Sequence, residues 1–363
     1  MFKIAETIDL GPIDELDKIR IKEDLSIRKQ ISAVIKKSKS IAKLDCCYYC
    51  GRKVDGFCNS HSIPQFALKK IAEEGDVLTI NSLIDFPALE YEKGVKKAGT
   101  FQLICRDCDN KLFSDYENPD NYSQEPTAKM IAQIALKNYL KAISKRKIEL
   151  ELSDATRSVL GIGNPYMDMK EHENRLDLNE YEKGYTKAKK AIEKHLQNDY
   201  YMCYYKKLDY VVPIAFQSQV ALVFDLEDKV INDIFYPSPD YEIKNLHISI
   251  FPLENRSVIF MFVDGKDKRY RNFYRQFNKL ELEDQLAVLT FIMFAYSEEV
   301  YFSKQIKDVL DGSEEMKKVA RTGSDVVGIT PFFNGLEVLK EKISLSNRKN
   351  IPNILLEAHK ITK

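Results

Sequence analysis

The pattern of apolar and polar positions divides this chain into helical and strand-like stretches. Apolar residues recur at helical spacing over about residues 12–44 and again over about 126–150. Past residue 200 the character changes, and runs such as 247–251 and 257–262 are rich in β-branched and aromatic residues, which favours strands joined by a hairpin. Helical spacing returns over about 279–299. The pattern therefore predicts an α+β fold.

These changes of pattern predict four segments within the 363 residues. A chain of this length is sufficient for two or three domains. We expect a charged N-terminal helix within 1–44, a cysteine-containing module at 45–124, a helical connector at 125–199, and a separate mixed α+β domain of unknown role at 200–363. Thr127 is suited to cap the first helix of the connector.

The charge balance limits the kinds of partner. Lys and Arg number 55, as do Asp and Glu, so the formal net charge is zero and any surface for nucleic acid must be a local patch. The second half of the first predicted helix is basic, and it is either a solvated surface or a contact to a phosphate backbone. No long apolar segment and no apolar run of a signal peptide is found, so the sequence predicts a cytoplasmic protein that does not enter a membrane.

Four of the seven cysteines form two Cys-x-x-Cys pairs, Cys47 with Cys50 and Cys105 with Cys108. Without a secretory context, two such pairs are typical of a four-thiolate zinc site. Gly51 follows the first pair, as a tight knuckle prefers, and Cys46 offers an alternative register to Cys47. Cys58 and Cys203 are interpreted as buried thiols. Zinc bound by four thiolates has no open coordination position, so we expect this ion to be structural.

One histidine, His61, lies between the two cysteine pairs and is followed by Pro64. The order Cys-x-x-Cys-Gly, then His with a nearby Pro, then a second Cys-x-x-Cys resembles the HNH endonucleases. These are ββα-metal nucleases built on a treble-clef zinc scaffold. The resemblance covers about residues 45–117 and implies the same kind of module there.

The resemblance also implies a catalytic site. His61 would be the general base that takes a proton from water, and one Mg²⁺ or Mn²⁺ would stabilise the leaving oxygen. Asp109 stands where the family has its final histidine, and it is expected either to ligate this metal or to cap the following helix. Thr100 stands in place of an asparagine, and Ser60 in place of an acidic ligand. Four neighbours are candidates to replace that ligand: Asn59, Asp107, Asn110 and Asp115.

The favoured function is therefore a metal-dependent endonuclease that acts on DNA rather than RNA, with structural Zn²⁺ and catalytic Mg²⁺ or Mn²⁺. Four cations near the cysteines are expected to neutralise phosphates: Arg52, Lys53, Arg106 and Lys111. The C-terminal domain would supply recognition, regulation or oligomerisation, and the two-part layout fits a role in bacterial defence or restriction. Two alternatives stay open, a catalytically inactive zinc module that binds nucleic acid and a zinc-stapled interaction protein. The departures at Ser60, Thr100 and Asp109 support the former, and the zero net charge supports the latter.

Overall fold

The computed structural model describes residues 24–81, 91–161, 165–236, 240–325 and 335–362. Residues 12–23 of the predicted N-terminal helix lie outside the described residues. The rest of that prediction is confirmed, because a helix covers Leu25–Ile41. It begins at Asp24, whose carboxylate accepts a hydrogen bond from the backbone N–H of Ser26 at 2.7 Å. None of the described helices combines the length and apolarity that a membrane crossing requires.

Helices and strands are mixed along the described chain. The helices are α1 Leu25–Ile41, α2 Gln65–Ile71, α3 Arg106–Phe113, α4 Ala128–Leu150, α5 Leu152–Leu160, α6 Pro165–Glu193, α7 Arg271–Phe277, α8 Leu282–Tyr296, α9 Lys307–Gly312, α10 Glu314–Asp325 and α11 Gly335–Ile343. The strands are β1 Ser60–His61, β2 Asp76–Thr79, β3 Glu92–Gly94, β4 Thr100–Phe101, β5 Tyr200–Leu208, β6 Ile214–Val220, β7 Leu246–Pro252, β8 Ser257–Asp264 and β9 Val300–Phe302. The predicted mixture of helix and strand is therefore confirmed.

Seven of these strands form one antiparallel sheet in the order β3-β2-β9-β6-β7-β8-β5. The hairpin predicted from the two apolar runs is confirmed, with Phe251 of β7 opposite Val258 of β8. β1 and β4 pair separately as a short two-stranded ribbon.

Both faces of the seven-stranded sheet are buried, which explains why its central strands are nearly continuous apolar runs. On one face, Ile259 and Met261 pack in a core with C-terminal helices such as α8. On the other face, Phe260 and Phe262 pack in a second core with α4 and the cysteine-containing segment. The fold therefore has three layers, with the sheet in the middle.

The sheet crosses the boundary that the sequence predicts near residue 124. β2 and β3 belong to the cysteine-containing segment, yet β2 pairs with β9 through Leu78 opposite Phe302. The two parts also share a core, since the rings of Phe66 and Phe251 lie 5.9 Å apart. Strands as short as β2 and β3 bury too little to be stable alone, so they add to the edge of a larger sheet. The cysteine-containing segment and the C-terminal part are thus joined by one continuous sheet, not separated as expected.

Helix α4 lies between the sheet and α6 and connects the layers. Its predicted cap is confirmed, because the Thr127 hydroxyl accepts a hydrogen bond from the backbone N–H of Met130 at 3.3 Å. The helix approaches α6 so closely that a Cβ added to Gly184 would lie 2.3 Å from the ring of Tyr139. Most of α4 is buried, including Lys137, whose side chain has no exposed area. This burial brings a charged side chain of α4 against the cysteine-containing segment.

Candidate functional site

The sulfur atoms of the two Cys-x-x-Cys pairs converge, although the pairs are far apart in sequence. The Sγ atoms all lie within 4.8 Å of one another, in Cys47, Cys50, Cys105 and Cys108. Three of these cysteines are buried, and Cys50 is exposed. Four thiols at such separations match the tetrahedral donor set of structural zinc. The four cysteines are therefore placed to bind one zinc ion, as the spacing predicts.

Local backbone geometry positions both pairs. Gly51 adopts a φ of +70°, and its N–H donates to the Cys47 carbonyl at 2.8 Å, which closes a tight turn that favours glycine. Cys105 is the N-cap of α3, so Cys108 lies one helical turn further on the same side. Cys46 is exposed and is not part of the converging group. Cys47, rather than Cys46, is therefore the residue that joins Cys50 in the converging group.

Arg52 favours the thiolate form of this centre. Its Nε lies 3.3 Å from the Cys50 sulfur, and its Nη2 lies 3.8 Å from the Cys105 sulfur. The hydrogen bond from Arg52 lowers the pKa of Cys50 to about 6, and a thiolate is the form that binds a metal ion. Arg52 also pairs with Asp107 at 3.2 Å. Asp107 is therefore connected to the cysteine centre through its ion pair with Arg52.

The short ribbon of β1 and β4 carries the candidate base. His61 lies opposite Thr100 in the antiparallel register, so the structure brings these two predicted site residues together. The Thr100 hydroxyl, however, donates to the carbonyl of Lys97 at 3.1 Å. The Thr100 side chain thus stabilises the turn before β4, and only the backbone of Thr100 pairs with His61.

The imidazole of His61 is held by one hydrogen bond that determines its protonation pattern. Nε2 lies 2.9 Å from the backbone carbonyl oxygen of Val95. Because a carbonyl can only accept, Nε2 must carry the proton. Burial lowers the pKa of His61, which favours the neutral ring, although the Val95 hydrogen bond opposes this. In a neutral ring with a protonated Nε2, Nδ1 carries a free lone pair and can accept a proton.

Asp109 lies in α3 next to the strand that carries His61. Its Oδ1 accepts a short hydrogen bond from the Ser60 hydroxyl, and its Oδ2 lies 3.5 Å from the Cys58 sulfur. Burial raises the pKa of Asp109, but the Lys137 charge and these hydrogen bonds outweigh burial, so the pKa lies below its usual range. Since Cys105 occupies the N-cap position of α3 and Asp109 lies inside the helix, the interpretation of Asp109 as the cap is wrong.

Lys137 of α4 completes this cluster and was not predicted. Its Nζ lies 2.9 Å from Asp109 Oδ1, 3.1 Å from Glu117 Oε1 and 2.8 Å from Ser60 Oγ. It also lies 3.6 Å above the centre of the Phe113 ring. The three N–H groups of an ammonium are thus matched by three oxygens. A fully buried lysine is stable in its charged form only with partners of this kind.

The two expected metals differ in how well the described residues fit them. The four cysteines fit zinc. Mg²⁺ or Mn²⁺ at Asp109 does not fit, because the Lys137 ammonium is bonded to the same carboxylate oxygen that would ligate the ion. Within the described ranges, the four cysteines are also the one group of three or more His, Cys, Asp and Glu side chains placed to share an ion.

The other predicted ligands have different partners. The side-chain oxygen of Asn59 accepts from Gln102 at 2.6 Å, and Asp115 pairs with Lys129 at 2.6 Å. Asn110 is exposed. The structure therefore brings none of these three to the Asp109 cluster. Lys53, Arg106 and Lys111 are exposed, as a contact to phosphate requires.

Two features of the site have no simple sequence signal. The Val95 carbonyl is a backbone group in the loop after β3, so no side-chain motif points to it. Lys137 had a weak signal, because a lysine among the apolar residues of a buried helix needs partners. Glu117 and Asp109 are those partners.

Comparison with known protein-family models, with curated proteins and with solved structures finds no match to this chain. The site is therefore interpreted from its own geometry and chemistry.

Proposed function

We propose that this chain is a phosphodiester hydrolase that acts on DNA, with His61 as the general base on a zinc-stapled module. The hydrogen bond from His61 Nε2 to the Val95 carbonyl is the observation that carries the proposal. It fixes the tautomer that a general base needs, with a free lone pair on Nδ1. In the described residues no hydrogen bond is made to Nδ1, and the ring is only half-buried.

The order of elements supports the same proposal. A cysteine knuckle, a two-stranded ribbon with the histidine, and a helix that carries the second cysteine pair at its start follow one another as in the treble-clef module of HNH endonucleases. Zinc would fix the start of α3 relative to the knuckle. The ribbon and α3 would then hold His61 and Asp109 on neighbouring elements.

Cations for a phosphate lie beside the proposed base. Lys96 and Lys97 are exposed and directly follow Val95, whose carbonyl holds His61. Exposed lysines of this kind contact phosphates without reading sequence. Arg106 and Lys111 on α3 add two further exposed cations. The zero net charge of the chain is compatible with such a local basic surface.

The proposed reaction is a hydrolysis in one step at phosphorus. His61 Nδ1 takes a proton from a water molecule, and the oxygen of that water attacks the phosphorus. The bond from phosphorus to the leaving oxygen breaks, the leaving oxygen takes one proton from solvent, and His61 returns the proton on Nδ1 to solvent. The products are a phosphate monoester and a free hydroxyl end, so atoms and charge are balanced.

A plasmid-nicking assay tests the proposal. Wild-type protein and His61→Ala would be incubated with supercoiled DNA, with and without Mg²⁺ or Mn²⁺, and with RNA as a second substrate. Removal of a general base is expected to slow nicking by about 10²- to 10⁴-fold. His195→Asn is the matched control, because His195 is exposed and has a φ of +52°, which Asn tolerates. Equal nicking by wild type and His61→Ala would refute the role of His61.

A second function is favoured by one observation, the ion pair between Asp109 and Lys137. A site whose expected metal ligand is already engaged fits a zinc module that binds nucleic acid without cleaving it. Gel-shift binding of DNA by wild type and His61→Ala alike, with no nicking by either, would support this alternative. Binding by neither protein would instead favour an interaction protein.

A further inference from the structure

We propose that the Lys137 ammonium is the resident cation of the Asp109 site, so that the oxygens of Ser60, Asp109 and Glu117 bind no divalent metal while Lys137 is present. The proposal deepens the proposed function, on whose site it rests, and it assigns to a side chain the position expected for Mg²⁺ or Mn²⁺. Three oxygens, from β1, α3 and the turn after α3, surround one buried positive charge at 2.8, 2.9 and 3.1 Å.

The chemistry of these three oxygens is that of a site for a hard cation. Two carboxylates and a hydroxyl are ligands of the type that Mg²⁺ and Mn²⁺ prefer. Here the ammonium uses its three donors on them, and its nitrogen also lies 3.6 Å from the centre of the Phe113 ring. The Lys137 side chain has no exposed area, whereas those of Asp109 and Glu117 are 13% and 33% exposed. The positive charge is therefore fully buried, and the two carboxylates lie between it and solvent.

A divalent ion and the ammonium compete for the same oxygen. A magnesium ion would lie about 2.1 Å from a carboxylate oxygen, and the Lys137 nitrogen already lies 2.9 Å from Asp109 Oδ1. Two cations held so close would repel each other strongly in a site shielded from solvent. A metal could enter only if the buried lysine left, and the residues on both sides of Lys137 in α4, from Met130 to Asn138, are buried as well.

Lys137 is accordingly a positioning residue rather than a catalytic one. Its three N–H groups are all used, so none is free for a phosphate. It fixes Ser60, the residue before His61, to Asp109 of α3. The base would thus be held in place by a protein charge, and any cleavage should not depend on Mg²⁺.

Manganese binding tests the proposal without any assay of activity. Zinc-loaded wild type, Lys137→Ala and Lys137→Met would be titrated with Mn²⁺ and followed by electron paramagnetic resonance. Wild type should bind no Mn²⁺ at this site. Lys137→Ala empties the cavity between the oxygens and should gain Mn²⁺ affinity by at least about tenfold, and adding Asp109→Asn should remove the gain. Lys137→Met is the matched control, because it removes the charge but still fills the space.

Several results would overturn the proposal. One is that the wild type binds Mn²⁺ and that Asp109→Asn abolishes this binding. Another is that Lys137→Ala folds and binds zinc but has no higher Mn²⁺ affinity than the wild type. If Lys137→Ala does not fold, the amino protons of Lys137 in the wild type decide by ¹H–¹⁵N NMR. A buried, fully bonded ammonium should give a slowly exchanging resonance that Mn²⁺ does not broaden, and broadening would refute the proposal.

The nuclease assignment is tested separately. Wild-type nicking that continues in EDTA, with zinc content unchanged, would support both proposals. Nicking that requires Mg²⁺ would overturn the role of Lys137 but leave His61 as the base. An inactive wild type would remove the proposed function, whereas the Mn²⁺ titration would still decide what Lys137 does.

Discussion

His247 should make the protein sensitive to mild acid. It lies in β7 at the junction of the sheet with α4, and its ring stacks on Phe262 with centroids 4.6 Å apart. Its Nδ1 lies 3.1 Å from the side-chain amide nitrogen of Asn138, which donates to it. Burial lowers the pKa of His247 to about 3. The folded protein therefore holds this ring neutral, whereas the unfolded chain can protonate it.

The sign of the effect follows from proton binding. Below about pH 6.5 the unfolded state binds a proton that the folded state does not, so stability is complete above that pH and is lost as the pH falls towards about 3. With a folded pKa of about 3 and an unfolded value of about 6.5, His247 alone costs about 2 kcal/mol of unfolding free energy at about pH 5. Its contribution at about pH 7.5 is close to zero.

The assay compares wild type with His247→Gln, which can still accept from Asn138. Urea unfolding is followed by far-UV circular dichroism from about pH 7.5 to 5 with zinc in excess, since the chain has no tryptophan. The variant should be less stable at neutral pH but should lose about 2 kcal/mol less than wild type on acidification. The exposed His195→Asn should keep the wild-type slope. Equal losses in wild type and His247→Gln would refute the reasoning, because groups common to both chains cancel in the difference.

Two further changes probe the zinc centre and the helical layer. Cys108→Ser should reduce the zinc content, measured by mass spectrometry, from about one ion per chain to almost none. Cys46→Ser should retain the zinc, because Cys46 is exposed and lies outside the converging group. Equal zinc content in the two variants would contradict the assignment. Gly184→Ala should cost about 1–3 kcal/mol of unfolding free energy, because its Cβ would lie 2.3 Å from the Tyr139 ring. Gly312→Ala, with no atom within 4 Å of its Cβ, should be nearly neutral, and similar melting temperatures for the two glycine variants would refute the close contact.

The sequence predicts the zinc centre well because its geometry is largely local. Each Cys-x-x-Cys pair brings two sulfurs to one side of a turn or helix start, so only one long-range contact remains to be made. That contact is visible in the hydrogen bond from the Cys105 N–H to the Cys47 sulfur at 3.3 Å. The proximity of His61 to Thr100 follows in the same way from the ribbon.

The rest of the site depends on partners that are distant in the chain. Lys137 reaches Asp109 from another helix, and helical periodicity identifies which face is buried but not what it meets. The pairing of β2 with β9 joins residues near 78 to residues near 302, and strands of three or four residues carry too little pattern to indicate a partner. This is why the predicted boundary near residue 124 does not divide the sheet.

The segment between β1 and β4 connects the short ribbon that carries His61 to the seven-stranded sheet. This one insertion supplies β2 and β3 to the edge of the large sheet, and directly after β3 it supplies the Val95 carbonyl that orients His61. The histidine is therefore held from two sides, by its own ribbon beside the zinc centre and by a loop anchored to the sheet. A shift of β3 by one residue would move Val95 away from the ring and leave Nε2 without its acceptor. The tautomer proposed for catalysis is thus a property of the whole fold, and zinc alone would not be sufficient to create it.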